Sequence, residues 1–97
     1  MIEVKVCISD DKVAGIVING HASSLICAGV SSCFVGAVNA VKDIEKFKYQ
    51  AVEGDSYLKR IEKISNHDET VLETLFIQLL TISEKYPDEV KISRERV

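Results

Sequence analysis

Ile2-Glu3-Val4-Lys5-Val6-Cys7-Ile8-Ser9, then Asp10-Asp11-Lys12, then Val13-Ala14-Gly15-Ile16-Val17-Ile18-Asn19: this opening decides the fold class. Ile2, Val4, Val6 and Ile8 fall on one side of the first run. Glu3, Lys5, Cys7 and Ser9 fall on the other. A period of two marks a half-buried strand. In the second run Ile16 and Ile18 share a face. The polar turn between the runs makes them a hairpin. An antiparallel pair with one apolar face needs a second layer to cover it.

That layer is legible further along. From about Cys27 to Glu45 the period becomes helical, with Val30, Phe34, Ala37, Val38, Val41 and Ile44 in one stripe. Gly29 and Gly36 each weaken such a helix by about 1 kcal/mol relative to Ala. They point to close approach by another backbone or a substrate, or to tight helix–sheet packing. Phe47–Val52 and Tyr57–Ile64 flank Glu53-Gly54-Asp55-Ser56 and read as a second hairpin. Asn66 then reads as an N-cap, with Glu69 three residues on in a capping-box pattern. Leu72, Leu75, Phe76, Leu79 and Leu80 carry the second helix, and Pro87 marks its end. Val90 and Ile92 alternate in a closing strand, and Ser93 to Val97 is expected to fray. The order ββαββαβ is an α+β fold, a two-layer sandwich of two helices on a mostly antiparallel sheet. Residues 1–97 form a single domain.

Composition narrows the function. The chain has 97 residues and a net charge of −3, without the basic footprint of a nucleic-acid binder. Direct nucleic-acid contact is therefore not expected. The three cysteines are an odd number, and Cys7, Cys27 and Cys33 lack the spacing of a zinc site. No metal or other cofactor is expected. Free thiols suit a reducing compartment. The start lacks the basic-then-apolar pattern of a secretory signal. No stretch approaches the roughly 20 apolar residues of a membrane span. A cytoplasmic protein with no membrane contact is expected.

Chemistry concentrates in Gly20-His21-Ala22-Ser23-Ser24-Leu25-Ile26-Cys27-Ala28-Gly29-Val30-Ser31. Cys27 reads as the N-cap or first residue of the helix, where unpaired N–H groups favour thiolate over thiol. The N–H groups of Cys27 and Ala28 can hold an oxyanion there. The plain alternative for Cys27 is a small buried hydrophobe. His21 can take the thiol proton and return it to a leaving amine, or else simply cap a loop carbonyl. Ser31 lies one turn beyond Cys27 on the same face. It supports the site or bonds its own helix at i−4. Cys33 reads as packing, Cys7 as an incidental exposed or dimer-facing thiol, and His67 as a solvated first-turn residue. Glu84, Asp88 and Glu89 are too scattered for an acid–base pair.

Gly20-His21-Ala22, then Cys27-Ala28-Gly29-Val30-Ser31 opening a long apolar helix with Val38-Asn39-Ala40, resembles the ribosomal-processing cysteine protease family, Prp. The resemblance covers nearly the whole chain. It implies an endopeptidase that removes an N-terminal extension from a large-subunit ribosomal protein precursor, cutting after a pair of aromatic residues. It also implies a homodimer. Cys27 corresponds to the nucleophile, His21 to the general base and Gly20 to the tight-turn residue before it. Ser31 is the helix serine beyond the nucleophile. Many relatives have a longer loop between His and Cys, with an Asp shortly before the Cys. Here only Ala22-Ser23-Ser24-Leu25-Ile26 intervenes. A backbone carbonyl or the Ser31 hydroxyl is left to orient the imidazole of a Cys–His dyad. The missing Asp motivates a rival reading, a non-catalytic ribosome-assembly or ribosomal-protein-binding factor. A third reading is a thiol redox sensor built on Cys27, for which no resolving partner is evident.

Overall fold

The first hairpin forms as its alternation dictates. In the computed structural model, which describes residues 1–97, β1 (Ile2–Ser9) and β2 (Lys12–Gly20) pair antiparallel across Asp10-Asp11. Both aspartates have positive φ, 54° and 61°. That is the pairing of a type I′ turn, whose twist suits the flanking strands. Ile2, Val4, Val6, Ile16 and Ile18 are buried on one face.

α1 (Ser24–Ala40) crosses that face. Its buried residues Ile26, Val30, Phe34 and Ala37 follow the helical repeat. The helix starts three residues earlier than the apolar stripe suggested, because the Ser23 hydroxyl accepts the Ile26 N–H at 3.4 Å. It also ends earlier, at Ala40 instead of Glu45. The N–H groups of Lys42 and Asp43 leave the helical pattern to bond the Asp68 carboxylate, at 2.9 and 3.1 Å. A 3₁₀ turn over Ile44–Lys46 follows. Neither Gly29 nor Gly36 marks a close backbone approach. A Cβ on Gly29 would touch only Ile82 Cδ1 at 3.9 Å, and one on Gly36 would meet open space.

β3 (Phe47–Val52) and β4 (Asp55–Arg60) form the second hairpin through the two-residue turn Glu53-Gly54. The expected four-residue loop is halved, because Gly54 takes φ +80° and turns the chain within two residues. α2 (Asn66–Lys85) is capped by Ser65, not Asn66: the Ser65 hydroxyl accepts the Asp68 N–H at 3.2 Å. Glu69 therefore closes no capping box and instead pairs with Lys12 at 3.0 Å. β5 (Val90–Arg96) pairs parallel with β1 along its whole length. The tail expected to fray is thus ordered, and the Val97 N–H reaches the Ile8 carbonyl at 2.9 Å. The backbone ladder is indifferent to side-chain charge, and Arg94 lies 5.1 Å over the Phe76 ring.

The sheet order is β3-β4-β2-β1-β5, antiparallel except for β1 with β5. The two helices and the covered sheet face share one core, completed by Leu58, Leu72, Leu75, Leu79 and Val90. No helix is long and apolar enough to cross a membrane.

Candidate active site

β2 ends against the chain start and the second hairpin. Gly20 has φ +98°, and a Cβ on it would lie 2.2 Å from the Met1 carbonyl oxygen. Only glycine fits there. Its N–H donates to the Gly54 carbonyl at 3.1 Å. Gly20→Ala is expected to cost about 1–3 kcal/mol in strain and to lower the melting temperature in a thermal melt.

The short loop after Gly20 is pinned twice. The Ser23 side chain caps α1. The Ser23 backbone N–H donates to Glu89 Oε1 at 2.9 Å. Hydrogen bonding from the Ser23 side chain and backbone N–H to the carboxylate holds Glu89 below the usual carboxylate range. Glu89, set aside as scattered in the sequence, thus ties the β5 entry to the start of α1. Because Glu89 is accessible, Glu89→Gln is expected to leave the melting temperature nearly unchanged. It should speed amide hydrogen exchange at Ser23, read by NMR.

Cys27 is the fourth residue of α1, not its cap. Its N–H is already bonded to the Ser23 carbonyl at 2.9 Å. Ala28 lies inside the helix, where its N–H follows the same i−4 pattern. The oxyanion donors expected at Cys27 and Ala28 are therefore spent within the helix. The half-buried thiol turns back onto the loop. Its sulfur accepts from the Ala22 N–H at 3.4 Å and donates to the Ala22 carbonyl at 3.5 Å. Ionisation preserves the first bond and removes the second.

His21 is exposed and packs its ring against Gly54. The sulfur's own hydrogen bonds go to Ala22, not to the imidazole. His21, Cys27 and Ser31 nevertheless line a single cavity of about 200 Å³ with Gly20. Ser31 forms none of the i−4 bonds that Thr70 and Thr81 make to their own helix. Ile18, Val30, Phe34, Val35 and Val52 give this cavity an apolar wall. Glu53 and Gly54 of the β3–β4 turn also line it. The sequence reads those two as part of a hairpin turn, and a contact across such a separation leaves no local signal.

The other candidates lie elsewhere. A groove of about 510 Å³ between the helices is lined by Cys33 and His67 among others. Burial pushes the Cys33 thiol up, which makes it a poor nucleophile. His67 Nδ1 is engaged by Asp68 Oδ1 at 2.8 Å. All three cysteines are free, and Cys27 and Cys33 line different cavities.

A thiol, an imidazole and a hydroxyl lining one cavity are the equipment of a cysteine hydrolase, and known proteins bear on which kind. A family model described as Cysteine protease Prp matches residues 1–91. The chain belongs to the Prp cysteine proteases. The ribosomal processing cysteine protease Prp of Staphylococcus aureus is 25% identical over 104 residues, covering 96% of this chain and 98% of that one. A crystal structure of the S. aureus Prp with a covalently linked product peptide matches at TM-score 0.85 and 26% identity, covering 98% of this chain and all of that one. A second, with a substrate peptide, matches at TM-score 0.82 and 22% identity over the same shares. The ββαββαβ sandwich is thus the Prp fold, and membership places this chain among enzymes of the cysteine-protease class.

Proposed function

We propose that the chain is an endopeptidase that removes an N-terminal extension from a large-subunit ribosomal protein precursor, with Cys27 as nucleophile and His21 as general base. The observation that carries this reading is the one cavity lined by His21, Cys27 and Ser31, in a chain of this family. His21 takes the Cys27 proton. The sulfur attacks the scissile carbonyl carbon, and the peptide C–N bond breaks as His21 gives that proton to the departing amine. Water, deprotonated by His21, then hydrolyses the thioester and frees the thiol. A covalently held product peptide on the S. aureus relative supports a covalent route. The apolar wall of Val30, Phe34, Val35 and Val52 suits the aromatic pair that the family pattern implies before the cut. The enzyme acts in the cytoplasm as a homodimer.

The test is to incubate the purified protein with the ribosomal protein bearing its extension and to read intact masses. One product, shortened at a single bond after an aromatic pair, is the expected result. A precursor that binds stably and is never cut would leave the non-catalytic assembly factor in its place.

A further inference from the structure

The sequence has no acidic residue between His21 and Cys27, and the hydrogen bonds of the thiol do not reach the imidazole. Something else must set the ring's position. A Cβ built on Gly54 would lie 2.5 Å from Nε2 and 2.7 Å from Cε1 of His21. The Nε2–Cε1 edge of the imidazole therefore occupies the space that a side chain at residue 54 would need. The same glycine, through its carbonyl, holds the Gly20 N–H at 3.1 Å. One residue thus touches both the ring and the backbone immediately before it. Gly20 also abuts the Met1 carbonyl. The corner carrying His21 is held between the chain start and the β3–β4 turn.

We propose that Gly54 is a positioning residue for His21. Its bare Cα is the seat that fixes where the imidazole stands relative to the Cys27 thiol, in place of a carboxylate or amide partner. This deepens the assignment of His21 as general base and rests on it. The wall acts by shape. Any side chain on it displaces the ring, and a misplacement of about 1 Å can cost about 10²-fold in rate.

A turn glycine at φ +80° also has a plain conformational role. Gly54→Asn separates the two, because Asn tolerates positive φ yet adds the Cβ. The expected result is a folded protein whose kcat on the ribosomal precursor falls about 10²-fold with KM little changed. The Cε1–H NMR resonance of His21 should move, while that of His67 stays. A Gly54→Asn protein with wild-type kcat overturns the proposal, whether or not the resonance moves, and so does an unmoved His21 resonance. Should Gly54→Asn fold poorly, Gly54→Asp, which also tolerates positive φ and adds the Cβ, is read by the same kcat and resonance measurements with the same outcomes. Absence of turnover by the wild-type protein counts against the protease reading alone. The resonance still reports on the seat.

Discussion

Cys27→Ala is expected to abolish cleavage of the ribosomal precursor, with a loss of about 10⁶-fold, the scale seen when a protease nucleophile is deleted. The fold should survive. Cys27 is half-buried, and its sulfur bonds only the Ala22 backbone. Both bonds are weak sulfur contacts to the main chain of half-buried Ala22, so their loss costs little. Cys27→Ser is the sharper variant, since its hydroxyl can keep the donor and acceptor roles toward Ala22. It should nonetheless lose most activity, because a hydroxyl is a far weaker nucleophile than a thiol at neutral pH. Intact-mass assays of both variants, beside thermal melts, check the result. Full cleavage by Cys27→Ala would remove the thiol from the chemistry. Iodoacetamide labelling should also mark Cys27 ahead of Cys33, because burial keeps the Cys33 thiol protonated.

The sheet and helices were legible because their signals are local. Alternation in Ile2–Ser9 and the stripe through Val30, Phe34 and Ala37 each fix an element within a few residues. The errors fell where a distant group captures the backbone. The apolar stripe runs on through Val41 and Ile44, so the pattern alone carries α1 to Glu45. Asp68 stops it by binding the N–H groups of Lys42 and Asp43. The tail looked too charged to be ordered, yet its ladder with β1 uses only main-chain groups.

The site divides along the same line. His21, Cys27, Ser31 and Gly20 were readable as a motif, and the fold brings them to one cavity. The apolar stripe sets the helix start three residues late, because the first turn is begun by the Ser23 hydroxyl accepting the Ile26 N–H and carries only Ile26 on its buried side. That shift removes the Cys27 and Ala28 amides from the oxyanion role. By helix geometry the unpaired amides of this first turn belong to Ser24 and Leu25. Gly54 lines the site and Glu89 braces the loop leading to it, both from far along the chain, through contacts that no spacing rule encodes.

Asp68→Ala should be the most destabilising single change outside the hydrophobic core. Asp68 is 0% exposed, and its carboxylate accepts from Lys42 N, Asp43 N and His67 Nδ1. Burial by itself raises the carboxyl; the two backbone donors and His67 together outweigh it and hold the pKa below the ordinary value. Removing the carboxylate leaves two main-chain donors unpaired at a half-buried site, at a cost of about 3 kcal/mol. For a domain of this size that corresponds to a melting temperature lower by roughly 12–24 °C. Hydrogen exchange at the Lys42 and Asp43 amides should accelerate with it. The pH dependence follows from the sign of the shift. A carboxyl depressed in the folded state contributes its stability above the unfolded value of about 3.9 and loses it as pH falls through the lower folded value. Wild type should therefore weaken on acidification below about pH 4, whereas Asp68→Ala, already lacking that contribution, should show a flatter profile there. Melting curves of the two proteins across that range check both statements. An Asp68→Ala protein as stable as wild type at neutral pH would mean that the end of α1 is held by packing around Val41 and not by this carboxylate.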